Sequence, residues 1–407
     1  MYPRYAKKYI ESIAKTFKVL VVTGPRQVGK TTLLKSMMPK NMNYVTLDDE
    51  FYRNQAILEP KLFLEEHPAP LFIDEVQYAP QLFSYIKMIV DNSNLNGQYW
   101  LTGSQQFHLM KNVSETLAGR VGIVKMNSFS YSEIHKNDNF SVFEPESYKK
   151  SSKISASELF EVIFRGGMPR LYEQKNLSRK AFFDSYIDTY ITRDVKNLSE
   201  IGNEKAFRIF LTSVASRTGE QLNYTSLAND ANISVPTAQK WLSILETSGI
   251  VYLLTPYMSS ELKRLTHIPK IIFMDTGLAS YLSGWETARN LQLSSNSGHY
   301  LETFIISEII KTYNSLGKQL NITYYRDKEK NEIDLIIEKN NTLYPFEIKK
   351  TASPNENMIK NFDKLKSNRK KIGAGGIICL ADELVHLNKK HYVIPISSVI
   401  NVINMNK

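Results

Sequence analysis

The apolar run Val19-Leu20-Val21-Val22 leads into Gly24-Pro25-Arg26-Gln27-Val28-Gly29-Lys30-Thr31, and Thr31-Thr32-Leu33-Leu34-Lys35 opens a helical pattern directly behind it. The octapeptide fits G-x-x-x-x-G-K-[ST], and strand, glycine loop and helix stand in the order a phosphate-binding loop requires. The chemistry needs these residue types. Gly24 and Gly29 leave room for backbone N–H groups to wrap phosphate oxygens, with Pro25, Arg26, Gln27 and Val28 between them. Lys30 is placed to neutralise the β- and γ-phosphates, and the Thr31 hydroxyl to ligate Mg²⁺. Thr32 continues the loop into a helix whose N-terminus adds partial positive charge. ATP and Mg²⁺ are therefore the expected ligands. An ordinary glycine-rich turn does not account for the flanking strand and helix.

Further strands support this reading. Pro70-Leu71-Phe72-Ile73-Asp74-Glu75 is an apolar run ending in two carboxylates, a Walker B pattern. Asp74 is expected to hold Mg²⁺ through water, and Glu75 to orient or deprotonate the attacking water, because ligands of open parallel sheets bind at strand C-termini. Tyr99-Trp100-Leu101-Thr102-Gly103-Ser104-Gln105 ends in polar groups, so Thr102, Ser104 or Gln105 is a candidate γ-phosphate sensor. Tyr44-Val45-Thr46-Leu47-Asp48-Asp49 reads as another strand. Arg120, beyond the sensor strand, is a candidate arginine finger reaching a neighbouring subunit's ATP, which requires an oligomer; the alternative is a surface arginine.

At roughly 150 residues per domain, 407 residues make two or three domains. Hydrophobic residues at 42% and charged residues at 23% exclude wholesale disorder. Cys379 is the sole cysteine, which excludes a disulfide framework and a cysteine zinc site. No apolar run approaches the roughly 18 residues of a membrane helix, and Met1 to Glu11 shows no apolar signal core. A cytoplasmic protein without a membrane partner is the expectation. The 51 basic against 41 acidic residues give +10, which favours a polyanionic partner, DNA first.

Residues Lys136 to Ser155 are polar and read as a loop closing the first domain. Helical patterns rich in Tyr and Phe follow through Arg193, with an aromatic spacing that suits a core. A helix-turn-helix pattern comes next: Phe207 to Arg217, then Tyr224 to Ala231 capped by Thr225, a turn at Asn232-Ile233, and a third helix capped by Ser234 with Pro236 in its first turn. Ala228, Ile233, Leu242 and Leu245 are expected to face inward, and Gly249 to Leu254 to form a wing strand. Thr237, Gln239 and Lys240 are expected to be exposed where a recognition helix meets DNA. A packing or lid module is the alternative.

Near the C-terminus, Asn331-Glu332-Ile333-Asp334-Leu335-Ile336-Ile337 and Leu343-Tyr344-Pro345-Phe346-Glu347-Ile348-Lys349 read as two strands joined by an Asn340-Asn341 turn. That turn sets residue 334 opposite 347, and period two adds Lys349, so Asp334, Glu347 and Lys349 converge. Ile333, Leu335, Ile337, Phe346 and Ile348 are expected to build a core on the other face. Two carboxylates and a lysine suit Mg²⁺-dependent phosphodiester cleavage, with oxygen ligands for a hard cation and a lysine to position water. Glu302 is a candidate third carboxylate from a helix. An amphipathic hairpin with a solvated charged face is the alternative. The basic stretch from Lys360 to Lys371 either tracks a phosphate backbone or is a solvated helix face.

These segments, with Phe72-Ile73-Asp74-Glu75-Val76-Gln77 and Leu117-Ala118-Gly119-Arg120, resemble a family of prokaryotic AAA-type ATPases whose C-terminal half is a domain of unassigned function resembling PD-(D/E)XK nucleases. The resemblance runs through most of the chain, since Gly166-Gly167-Met168-Pro169, Tyr186 to Asp194 and Met274-Asp275-Thr276-Gly277-Leu278 also fit. Asp334 followed by Glu347-Ile348-Lys349, with Glu302 upstream, resembles the nuclease pattern; Ile333 stands where that pattern has a proline, which is not a ligand. The expected architecture is α/β in three parts. These are a P-loop NTPase parallel sheet in an AAA-type domain over 1–135, a helical and winged-helix region over 157–258, and a restriction-endonuclease-like α/β domain over 265–407. The expected function is an ATP-hydrolysing, DNA-directed protein with an Mg²⁺-dependent nuclease site. The alternative is a nucleotide-switched regulator that grips DNA or a protein partner through a silent nuclease-like domain.

Overall fold

A computed structural model describes residues 2–103, 115–137, 141–145, 147–148, 153–190, 203–258, 268–365 and 370–400. The first domain is built on five parallel strands, β1 (Val19–Thr23), β2 (Asn43–Thr46), β3 (Leu71–Asp74), β4 (Tyr99–Gly103) and β5 (Val121–Lys125), in the order β2-β3-β4-β1-β5. Its strands are apolar almost throughout because both faces are covered, as parallel sheets require. Val19, Val21, Ile73 and Leu101 pack into one layer, and Leu20, Val22, Phe72 and Trp100 into the other. The period-two alternation thus sends each strand into two cores. The carboxyl ends of β1 and β3 carry the glycine loop and the Asp74-Glu75 pair on one edge of the sheet.

The middle region holds the helices Ala156–Arg165, Arg179–Tyr190, Glu204–Ser216, Tyr224–Ala231 and Val235–Thr247. They are followed by β6 (Val251–Leu254) paired antiparallel with β7 (Lys270–Phe273). The strand expected over Gly249 to Leu254 is thus one of an antiparallel pair. The Tyr224–Ala231 helix is capped not by Thr225 but by Asn223, whose side chain accepts from Ser226 N; Ser234 caps the next helix as expected. The aromatic residues Phe160, Phe183, Tyr186 and Phe207 lie in one core with Phe346, Ile378 and Ile394 of the C-terminal sheet. The boundary expected between 258 and 265 lies between β6 and β7, which pair with each other. The stretch after Lys136 is likewise more than a polar loop: Val142 and Phe143 are buried, and Glu144 pairs with Lys318 and Lys339.

The C-terminal mixed sheet has the path β13-β14-β12-β10-β9-β8, with β11 beside β10. Here β8 is Ile322–Arg326, β9 Glu332–Lys339, β10 Thr342–Lys349, β11 Lys371–Ile372, β12 Gly376–Cys379, β13 Val385–His386 and β14 Tyr392–Pro395. Asn340 and Asn341 both adopt left-handed φ, 49° and 59°, as the two-residue hairpin needs. The pairs Thr342↔Lys339 and Phe346↔Leu335 continue to 334 opposite 347. Against β8 the register shifts, from Thr323↔Ile336 to Tyr325↔Ile333, so β9 carries one extra residue there. That bulge resets the alternation. Leu335, Ile337, Phe346 and Ile348 share a core, but Ile333 joins Ile336, Ile359 and Ile377 in another.

The helix Ser297–Ser315 is buried along most of its length and ties this sheet to the first domain. Glu308 Oε2 accepts from Tyr131 N at 2.6 Å, and Lys311 Nζ donates to Phe129 O at 3.3 Å and to Glu308 at 3.0 Å. In the basic stretch after Lys360, Ile359 and Phe362 bury one side while Lys360 and Lys364 are exposed; residues 366–369 lie outside the described residues.

Candidate functional site

The glycine loop leaves β1 through Gly24, whose φ is +148° and whose missing Cβ would stand 2.1 Å from Met126 O. Gly29 (φ +89°) caps the helix Lys30–Met37, and Gln27 is also left-handed, a conformation that costs a non-glycine residue energy. Val28 is buried in the loop, while Thr32 is exposed at the head of the helix. Pro25 and Arg26 complete the loop, and Lys30, itself buried, donates to Gly24 O at 2.9 Å and Pro25 O at 2.8 Å. Its ammonium is held over the loop's own carbonyls.

Asp74 is the junction of the site. Thr31 Oγ1 lies 3.0 Å from each carboxylate oxygen, Tyr44 OH donates to Oδ2 at 3.2 Å, and Thr102 Oγ1 donates to Oδ1. Burial pushes the Asp74 carboxyl up, the Thr102 hydrogen bond opposes this, and Glu75 adds to it. A hydroxyl and a carboxylate in contact are the hard oxygen donors that Mg²⁺ takes, so Thr31 and Asp74 fit that ion. Thr102 does not face outward as a sensor would; it is fully buried and fixes Asp74. Ser104 and Gln105 lie outside the described residues. Glu75 sits half-buried at the edge of the sheet in a left-handed conformation (φ 55°), and Gln77 Nε2 donates to its Oε2 at 2.5 Å.

Arg120 is elsewhere. Val121 pairs with Val19, so Arg120 stands at the amino edge of the sheet, opposite the glycine loop. Its guanidinium binds Asp91 through Nε at 2.5 Å and Nη2 at 3.0 Å, and Nη1 donates to Ala118 O at 2.8 Å. Within one chain the side chain is a surface clamp on the helix Leu82–Asp91, which is the alternative set beside the arginine finger. Arg120→Ala should leave ATP turnover at the wild-type value, measured as steady-state phosphate release.

Sequence reasoning missed the wall beside the loop. A cleft of 730 Å³ runs past Gln27, Gly29 and Thr32 and is lined also by Tyr2, Phe129 and Arg170. Arg4 bridges loop and wall: Nη1 donates to Val28 O at 3.2 Å, Nη2 to Asn127 O at 2.8 Å, and Nε lies 3.3 Å from Glu133 Oε1. The Gly166-Gly167 segment docks there, with Phe129 N donating to Gly167 O at 2.7 Å and Gly167 N to Asp275 Oδ2 at 2.9 Å. The glycine pair and the Asp275 segment singled out in the sequence are thus two halves of one joint behind the loop. No local pattern marks Arg4.

In the C-terminal domain Asp334, Glu347 and Lys349 do come together. Lys349 Nζ lies 3.0 Å from Asp334 Oδ2 and 2.5 Å from Glu347 Oε2, and Ile348 N donates to Asp334 Oδ2 at 2.8 Å. Burial, with Asp334 second, pushes Glu347 up to about 9. Burial also pushes Asp334 up, but Lys349 and Lys270 prevail and hold it below the usual carboxylate range. Glu302 enters the network through Lys270. Its Oε1 is 2.6 Å from Lys270 Nζ, which also contacts Glu332 Oε1. Burial opposes the Lys270 charge, yet Glu302, Asp334 and Glu332 raise its pKa above the ordinary lysine value. Among the described residues no group of three or more His, Cys, Asp or Glu side chains is arranged to hold a metal ion. Around the expected cation set of Glu302, Asp334 and Glu347 stand two ammonium groups: Lys349 joins Asp334 to Glu347, and Lys270 joins Glu302 to Glu332.

Residues 16–135 match the family model described as "AAA domain". With the loop geometry, this makes the first part of the chain an AAA-type P-loop ATPase domain. Residues 156–289 and 297–399 match two models described as domains of unknown function, DUF8612 and DUF4143, neither a nuclease description. An uncharacterized protein of Mycobacterium tuberculosis, Rv2008c, is 29% identical over 338 residues, covering 83% of this chain and 71% of the relative. Another of Methanocaldococcus jannaschii, MJ1637, is 25% identical over 311 residues, covering 68% of this chain and 64% of the relative. Among solved structures, the Walker-type ATPase PABY2304 of Pyrococcus abyssi aligns with a TM-score of 0.43 at 14% identity, over 69% of this chain and 96% of that one. No helix among the described residues is long and apolar enough to cross a membrane.

Proposed function

We propose that the protein binds and hydrolyses Mg-ATP at the Gly24–Thr32 loop and uses the cycle to set the conformation of the domains attached to it. The contact between Thr31 and Asp74, with Glu75 one residue beyond, carries this reading. Thr31 and Asp74 would hold Mg²⁺, which when bound screens the phosphate charge. Lys30 exchanges the carbonyls of Gly24 and Pro25 for phosphate oxygens. Glu75 orients a water in line with the γ-phosphorus and accepts its proton; the bond from phosphorus to the β–γ bridging oxygen breaks, giving ADP and phosphate. Phosphate release by wild type, Lys30→Ala and Glu75→Gln tests the scheme, and turnover that survives both substitutions refutes it.

The ion pairs of Lys270 with Glu302 and Glu332 favour the second reading of the C-terminal domain, a silent one, over nuclease action. DNA is the proposed macromolecular partner, supported by the +10 charge and by Gln239 and Lys240, exposed on the helix Val235–Thr247. Thr237 is half-buried, its hydroxyl 2.8 Å from Ser234 Oγ. Duplex binding should weaken steeply with salt, and Lys240→Glu should weaken it further. A salt-insensitive or absent gel shift would leave a protein as the partner.

A further inference from the structure

The carboxylate network of the C-terminal domain holds one lysine that its sequence pattern does not include. Glu302 comes from the helix Ser297–Ser315, while Glu332, Asp334 and Glu347 come from β9 and β10. Lys270 comes from neither. It heads β7, delivered by the region before the sheet, and its side chain is almost fully buried. Its Nζ contacts Glu302 and Glu332 and stands 5.2 Å over the Tyr324 ring. The approach is pinned from both sides: Tyr324 OH donates to Ile268 O at 2.6 Å and accepts from Gln221 Nε2 at 2.8 Å. Lys349 and Arg326 neutralise the rest, Arg326 Nη1 lying 2.6 Å from Glu332 Oε2. The cluster sets four carboxyl groups, Glu302, Glu332, Asp334 and Glu347, against three cations, Lys270, Lys349 and Arg326.

We propose that Lys270 is the resident cation of this cluster: its ammonium takes up the Glu302 and Glu332 carboxylates that a divalent ion beside Asp334 would need, so the folded domain is closed to Mg²⁺ and Mn²⁺, and neutralising Lys270 opens one divalent site. This deepens the silent-domain reading and is independent of ATP chemistry. A buried carboxylate left without its lysine needs another cation or a proton, and hard oxygen donors select a divalent metal.

The test is Mn²⁺ binding to the nucleotide-free full-length chain, followed by electron paramagnetic resonance. Asp334→Asn is introduced into each protein to separate this cluster from the glycine loop. Wild type should show no Mn²⁺ that depends on Asp334. Lys270→Met should gain one Mn²⁺ per chain and lose it again in Lys270→Met/Asp334→Asn. Should Lys270→Met not fold, Lys270→Gln, which keeps a hydrogen-bond donor for Glu302, takes its place. Asp334-dependent Mn²⁺ in wild type, or a folded Lys270 variant that gains none, overturns the proposal. Neither outcome bears on the ATPase reading, which phosphate release tests separately.

Discussion

Lys30→Ala is expected to abolish ATP binding. Lys30 is buried at the base of the loop, and its ammonium is held directly over the Gly24 and Pro25 carbonyls. A charge-assisted hydrogen bond contributes about 1.5–3 kcal/mol, which is roughly 10- to 150-fold in affinity for each phosphate oxygen the ammonium would bind. The substitution also deprives those carbonyls of their ammonium donor, which loosens the loop before any nucleotide arrives. Equilibrium titration with a fluorescent ATP analogue in the presence of Mg²⁺ reads the effect. A far-ultraviolet circular dichroism spectrum like that of wild type shows that the β1 sheet is intact. Unchanged affinity in a folded variant refutes the phosphate-loop assignment.

Glu75→Gln separates binding from chemistry. The carboxylate lies at the edge of the sheet, one residue beyond Asp74, where Gln77 holds one of its oxygens. The amide keeps the size and the contact with Gln77 but cannot accept a proton from water. General-base catalysis typically contributes about 10²- to 10⁴-fold, so turnover should fall by that amount while ATP affinity stays near the wild-type value. The pair of measurements is needed because Asp74 is adjacent. A fall in affinity as large as the fall in turnover would show that Glu75 supports the site's structure, as its strained backbone also could. Turnover within a few-fold of wild type would move the base to another residue.

The nucleotide site was legible because its parts are local. Val19 to Lys35 carries strand, loop and helix in sequence, and Asp74 ends a strand whose apolar run is continuous because both faces are buried. The Asn340-Asn341 hairpin was legible for the same reason: two residues that tolerate left-handed φ fix the register of everything beside them. What failed depended on long-range geometry. Nothing near Arg120 in the chain says that it pairs with Asp91 of another element. Ile333 obeys period two until one extra residue in β9 changes the phase, and a bulge leaves little mark on an apolar strand. Lys270 precedes Ile271-Ile272-Phe273 with nothing local to single it out, because its partners Glu302 and Glu332 lie on other elements. Arg4 and Glu133 meet across the first domain in the same way. Buried ion pairs of this kind are invisible to pattern because each member looks like an ordinary surface charge until the fold brings the other.

The most direct test of the central claim is steady-state phosphate release from ATP, with Mg²⁺ and with the ion chelated, by wild type and Lys30→Ala side by side. A phosphate loop working with the Thr31–Asp74 pair predicts release by wild type that requires Mg²⁺ and is lost in Lys30→Ala. Release that persists without Mg²⁺ or in the lysine variant, or no release from a folded wild-type protein that binds ATP, would contradict it.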